Sequence, residues 1–317
     1  MWGPYGITDL NGEHMTCKHA VIGLILCLLA GTATAQDWPM PQIRTQDVDL
    51  FYRIYDDAEG TPSAAALQRY YVDAGSEGER QFAAKRGISG VALVAAIQKR
   101  QGDYDQARSC AVVLPRVKVR LAAALRKLLQ LDPNAVFPPV TVLIGRDTSG
   151  GTTGQSGVLI GLEVACRATW LQHDLTDRLV HLIAHEYGHV EQGTVGSTQN
   201  RTVLRQALVE GGAELVAELI SGEVSNINLK QWTKGRERQI DQAFLAQIDS
   251  TDLSPWFYTG PGTPDKPGDL GYWVGYRILK AYYRHAHDKR VALATLLAMK
   301  DPKALLEQSH FKPGERD

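Results

Sequence analysis

Between residues 47 and 131 apolar side chains recur every three or four positions, the period of an amphipathic helix. Phe51, Ile54 and Tyr55 open the pattern, and Leu114, Val117, Leu121, Leu125 and Leu128 carry it through a later segment. These stripes predict core-facing helices and bring no chemistry of their own. Thr61 followed by Pro62 predicts a helix start, with the threonine as cap and the proline at the first helical position. "DPNAVFPP" (132–139) then breaks the pattern. It divides an N-terminal helical region, 36–135, from a second region, 136–300, which is followed by a tail at 301–317.

Past the break the period changes. "VTVLIG" (Val140–Gly145) and "GVLIGL" (Gly157–Leu162) are β-branched apolar runs and predict neighbouring antiparallel strands. The "RDTSGGTTGQS" between them has no lysine after its glycines, and the chain has no G-x-G-x-x-G, so a phosphate-binding loop is disfavoured. Two readings remain for it, a flap beside a cleft or a plain hairpin connection. Helical periodicity returns from Asp174 to Gln192, stopping at Gly193, and again from Thr202 to just before Gly222. A Pro/Gly-rich loop, Asp252–Asp269, precedes a last helical region that begins at Leu270 with "GYWVGYRILKAYYRH". The expected fold class is α+β, mainly helical, with a small antiparallel sheet.

Composition narrows the setting. The chain has 317 residues, a formal net charge of −1 and 44% hydrophobic residues, so it can bury a large core. No basic tract stands out, which argues against a nucleic-acid partner. "MTCKHAVIGLILCLLAGTATAQ" has a basic start at Lys18, an apolar run from Ala20 to Ala30, and Ala33-Thr34-Ala35 before Gln36. It predicts a secretory signal cleaved after Ala35, with residues 1–14 an upstream extension and 1–35 removed on export, periplasmic or extracellular. The apolar run is short for a membrane span, so no stable span is expected after cleavage, an uncleaved anchor being the alternative. Leu26 stands where a small residue should precede a lipidated Cys27. With the signal gone, only Cys110 and Cys166 remain, and an oxidising compartment predicts a disulfide between them; two buried free thiols are the alternative.

The chemistry is concentrated in "VHLIAHEYGHVEQ", Val180–Gln192. On a helix, His185 and His189 lie about one turn apart and project from one face, where both can bind one zinc ion. Glu186 between them is placed to act on a water rather than on the metal, as a general base. This is H-E-x-x-H, which needs a third ligand to be more than a short motif. "ALVEGGAELVAEL" supplies candidates. Glu210 is the expected third ligand, with Glu214, four residues on, orienting a histidine from behind; the reverse division of roles is the alternative. Gly211-Gly212 costs helix stability, and is expected to let this second helix approach the first closely. His181 is expected in a supporting role, since a fourth protein ligand would close the site. His285 and His287 are expected on the surface.

"SGGTTGQSGVLIGLE", "HEYGH", "EGGAE" and "GYWVGY" occur in that order over roughly residues 140 to 285. In this the chain resembles gluzincin-type zinc metallopeptidases, closest to bacterial "predicted Zn-dependent protease" families of unknown function. The resemblance implies a zincin-like catalytic core with helical N-terminal and C-terminal parts, the sheet packed on the H-E-x-x-H helix, one Zn²⁺ per chain and a peptide or protein substrate. It further implies an edge strand, expected at "GVLIGL", that pairs with extended substrate. It also implies a tyrosine as oxyanion donor, Tyr272 before Tyr276. No G-x-M-E-N-type segment precedes the helix, which argues against aminopeptidase action. The expected function is a secreted or periplasmic zinc metallopeptidase with Glu186 as general base. The alternative is a zinc-stabilised binding or scaffold protein of peptidase ancestry without turnover.

Overall fold

In the computed structural model, which describes residues 41–193, 201–222, 224, 226–260, 262–263 and 265–315, the apolar stripes become helices. The signal segment and its cleavage point lie outside the described residues. A short strand, β1 (Ile43–Arg44), leads into α1 (Gln46–Asp57), α2 (Ala64–Leu67), α3 (Glu77–Arg86), α4 (Gly90–Cys110) and α5 (Leu114–Leu131). Every member of the leucine and valine stripe from Leu114 to Leu128 is buried on α5. The expected start at Thr61 is displaced. Ser63 is the cap, its hydroxyl accepting from the Ala66 N–H, while the Thr61 hydroxyl turns back and donates to the Ala58 carbonyl.

The sheet differs from expectation. β2 (Val140–Leu143) and β4 (Gly157–Gly161) pair in parallel, Val140 opposite Val158 and Leu143 opposite Gly161. The reason lies in the connection between them, which itself contains β3 (Gly151–Gly154), antiparallel to β4. The chain leaves β2, runs to the far side, and returns through a tight turn into the middle, giving the order β1-β2-β4-β3. The sheet is therefore mixed, and "GVLIGL" is an interior strand, not an edge. The edge on this side is the glycine/threonine segment, so the loop is neither a free flap nor a bare connection. Gly157, at φ +118°, is required here, because a Cβ would sit 2.1 Å from the Pro139 carbonyl oxygen.

After the short α6 (Leu162–Arg167) come the two long helices. α7 (Leu175–Gln192) starts where the Asp174 carboxylate accepts from the Asp177 N–H and ends at Gly193; α8 (Val203–Ser221) starts on Thr202 and ends at Gly222 in the left-handed region. α9 (Ile227–Trp232), α10 (Glu237–Leu245) and a two-stranded pair, β5 (Gly262–Thr263) with β6 (Lys266–Pro267), lead to α11 (Leu270–His285), α12 (Lys289–Ala298) and α13 (Pro302–Gln308). α7 packs on β3 and β4 on one side and on α8 on the other, and α11 lies along α8. The class is α+β, mainly helical with a small sheet. Trp38–Asp317 forms one compact unit, so the segment at 132–139 is a connection within it, from α5 to β2. No described helix is long and apolar enough to cross a membrane.

Cys110, at the end of α4, is disulfide-bonded to Cys166 on α6 across 56 residues of chain. Closing a loop of that length is worth about 4 kcal/mol in the chain-entropy account, and the bond ties the N-terminal helices to the segment just before α7.

Candidate metal centre

Three ligand-type atoms converge where α7 and α8 cross. His185 Nε2 lies 3.1 Å from His189 Nε2 and 3.5 Å from Glu210 Oε2, and His189 Nε2 lies 3.3 Å from the same oxygen. A tetrahedral zinc with ligand bonds of about 2.0–2.1 Å separates its ligand atoms by about 3.3 Å, so this triangle has the right size for three of four positions. Among the described residues, His185, His189 and Glu210 are the group able to hold a metal ion. The donor set, two imidazoles and one carboxylate, is one that zinc takes.

Each candidate ligand is held from behind through its other polar atom. His189 Nδ1 is 2.8 Å from Gln192 Oε1, while the Gln192 amide donates to the Val209 carbonyl on α8. That fixes the His189 tautomer with its proton on Nδ1 and leaves Nε2 as an acceptor. Glu210 Oε1 accepts from Gln206 Nε2, leaving Oε2 toward the histidines. His185 Nδ1 is 3.0 Å from Glu214 Oε1, close enough for an ion pair though out of line for a hydrogen bond. The second Glu214 oxygen reaches His181 Nε2 at 3.3 Å, and His181 Nδ1 meets the Ser221 hydroxyl. Thus Glu210 stands with the two α7 histidines, while Glu214 and His181 stand behind His185.

Electrostatics follow from this crowding. Burial works against a charged His185, but Glu210 and Glu214 outweigh it and hold its pKa well above the usual imidazole value. Burial likewise opposes ionised Glu210, yet the two histidines bring its carboxyl down to about 2. Glu186 is buried beside them and is pushed up chiefly by that burial. Its Oε2 has no partner among the described residues. Gly151 on β3 lies directly against it: a Cβ at that position would come within 2.6 Å of Glu186 Oε1.

The glycines act differently from expectation. A Cβ on Gly211 would lie 2.2 Å from the backbone of Gly275 and Tyr276, so Gly211 serves the approach of α11 to α8 rather than of α8 to α7. Gly212 faces the Gln192 amide. The close approach of α7 to α8 is made instead by Gly188, whose Cβ would stand 2.7 Å from the Ala213 Cα.

Tyr272, at the head of α11, stacks on the His185 ring with centroids 6.5 Å apart and 25° between planes. Tyr276 points elsewhere, donating its hydroxyl proton to Glu218 and accepting from Lys280. His285 and His287 are exposed. A cavity of about 440 Å³ opens beside the centre, lined by His185, Glu186 and Tyr272 among others, with Tyr258 and Gly260 of the Pro/Gly loop in its wall. Gln192, Gln206, Ser221 and Gly151 are the residues that sequence reasoning missed. The two glutamines sit three residues after His189 and four before Glu210, helical spacings that could have flagged them.

A family model described as "Gliding motility protein GldB" matches residues 194–313, less than half of the chain. No curated protein and no solved structure matches. This overturns the expectation of a gluzincin metallopeptidase, and of protease function with it: the family found is that of a gliding motility protein, and no metallopeptidase family matches. The physical reason is that H-E-x-x-H and a downstream glutamate describe how a metal is held, which different functions can share. Glu210, Glu214 and Tyr272 fall inside the matched segment, whereas His185, Glu186 and His189 precede it. Over residues 194–313 the chain is similar to the gliding motility protein GldB.

Proposed function

We propose that this chain is an exported, motility-related envelope protein that holds one zinc ion on His185, His189 and Glu210. The observation that carries the metal reading is the triangle of ligand atoms, each backed by a second polar partner. The motility reading is supported by the match to the gliding motility protein, and export by the segment ending at Ala35. The helix α7 packed on β3 and β4, with Glu210 delivered by α8, supports a zincin-like arrangement of the core as part of this proposal.

Turnover at the centre is a second reading, favoured by the partnerless, buried Glu186 Oε2. A bound zinc would supply Lewis acidity and bring a water it holds toward neutral pKa. Glu186 is positioned to take and keep a proton at that oxygen, and β3 shields it from one side. No cleavage of peptide bonds is assigned to it.

Elemental analysis of the purified chain tests the metal reading. About one zinc per chain is expected, retained in Glu186→Gln and lost in Glu210→Ala; a wild-type chain without zinc after zinc supplementation defeats it. In cells that glide, replacing the protein with Glu210→Ala should reduce spreading as deletion does. Normal spreading in a deletion strain would sink the motility reading.

A further inference from the structure

The exposed face of α5 has no part in the metal centre. α5 carries five of the chain's 34 Lys and Arg residues and no Asp or Glu, although the chain as a whole is net −1. Arg120 is taken by Asp177 of α7. Arg116, Lys118, Arg126 and Lys127 are exposed and have no ion-pair partner among the described residues. Apolar side chains stand among these cations. Arg116, Val119, Ala123 and Arg126 follow in steps of three and four and so share one side of the helix, with Lys118 and Lys127 on its flanks. Val119 is 64% exposed, and Val112, on the short turn (Ala111–Val113) that leads into α5, is 78% exposed. The opposite face, from Leu114 to Leu128, is buried and packs toward α7, so a fixed helix presents the exposed one.

A face made only for solubility needs charge and no valines. Cations set around exposed apolar side chains match an interface where anionic headgroups lie above acyl chains. We infer that this face of α5 docks on an anionic lipid surface. Arg116, Lys118, Arg126 and Lys127 meet headgroup phosphates, and Val112, Val119 and Ala123 enter between the headgroups. Nucleic acid would engage the cations through its phosphates but offers the valines little apolar depth. Each Lys or Arg held near an anionic membrane strengthens binding about fivefold, so the four give a reversible, salt-sensitive attachment rather than an anchor. The face needs no zinc, and it draws on the export reading only for access to an envelope membrane.

Sedimentation with vesicles tests this on the exported chain, residues 36–317, which lacks the apolar signal run and keeps the compact unit whole. At low salt, vesicles of phosphatidylglycerol and phosphatidylcholine should bind it, vesicles of phosphatidylcholine alone should not, and added salt should release it. Arg126→Gln combined with Lys127→Gln should weaken binding about twenty- to thirtyfold. Val119→Gln should weaken it severalfold without changing its salt dependence. Lys230→Gln combined with Lys300→Gln, at two exposed cations elsewhere, should bind as the parent does. All five positions are exposed, and thermal unfolding checks that each variant is folded. No binding to either vesicle, equal binding to both, or parent-like binding of the Arg126 and Lys127 variant would overturn the proposal. A DNA duplex bound as tightly as the anionic vesicles would overturn the assignment to lipid. Zinc content, measured alongside, bears on the metal reading alone.

Discussion

The two ends of this fold bury polar groups in opposite ways. Around the N-terminal helices, large aromatics do the packing: Phe51 is surrounded by Tyr52, Tyr55, Tyr71 and Tyr104 at ring-centroid distances of 5.2–6.0 Å. Two of the hydroxyls satisfy backbone at the end of β2, where Tyr71 donates to the Ile144 carbonyl and accepts from its N–H and Tyr104 donates to the Gly145 carbonyl; Tyr52 donates to the Tyr104 carbonyl and Tyr55 to the Asp105 carboxylate. At the α7–α8–α11 crossing, glycines replace bulk. Gly188, Gly211 and Gly275 let backbones come together, and the polar groups at this crossing are carboxylates and imidazoles. Neutral hydroxyl-to-carbonyl bonds hold a rigid scaffold at little electrostatic risk, whereas carboxylates and imidazoles packed this closely repel or attract strongly. The first region is built to stay in place and the second to hold something.

The largest expected effect breaks the close-packed region. A Cβ on Gly275 would lie 1.8 Å from the Ala207 carbonyl oxygen, so Gly275→Ala must separate α11 from α8. A loss of more than about 4 kcal/mol in denaturant unfolding is expected. Parent-like stability would mean that the helices are not so tightly opposed.

Next comes a buried carboxylate of the aromatic region that has no hydrogen-bond partner among the described residues. Glu79 is fully buried, and burial first, then the nearby Asp47, push its pKa up to about 8; Asp73 adds to this and Arg80 opposes it. The folded chain thus binds this proton more tightly than the unfolded chain, whose carboxyl titrates near 4.5. Its contribution is fully present below pH 4.5 and is lost as pH rises toward 8, by roughly 5 kcal/mol in all. Glu79→Gln should flatten that slope, which thermal unfolding across the window measures. An equal slope in the variant would refute the assignment.

Smaller effects sharpen the contrast. Tyr71→Phe removes a hydroxyl that serves both the N–H and the carbonyl of Ile144 and should cost about 2 kcal/mol, with zinc content untouched. Gly102, inside α4, is exposed and has nothing near where a Cβ would go, so Gly102→Ala should stabilise by under about 1 kcal/mol. The opposite signs at Gly102 and Gly275 would separate a glycine kept for proximity from one kept for nothing in the fold.

Legibility in the sequence followed the range of the interaction. α7 and α8 could be read to the residue because Asp174, Gly193, Thr202 and Gly222 are local caps. The sheet order could not, because Gly151–Gly154 has no apolar alternation and pairs with β4 through the tight turn between Gly154 and Gly157. Glycines at 211 and 212 announced a close approach without saying to which helix. At the site, spacing brought His185, His189 and Glu210 into view together, while Gln192 and Gln206 act through contacts that ordinary glutamines do not advertise. Function was the least legible part, since a five-residue motif specifies a way of holding a metal more firmly than a reaction.

The central claim is that α7 and α8 share a zinc ion. X-ray absorption at the zinc edge, on protein supplied with one equivalent of zinc, tests it most directly. The account predicts a four-coordinate shell of two imidazole nitrogens and oxygen ligands at about 2.0–2.1 Å, altered in Glu210→Ala and unchanged in Glu186→Gln. A six-oxygen shell, or a spectrum identical in wild type and Glu210→Ala, would contradict it.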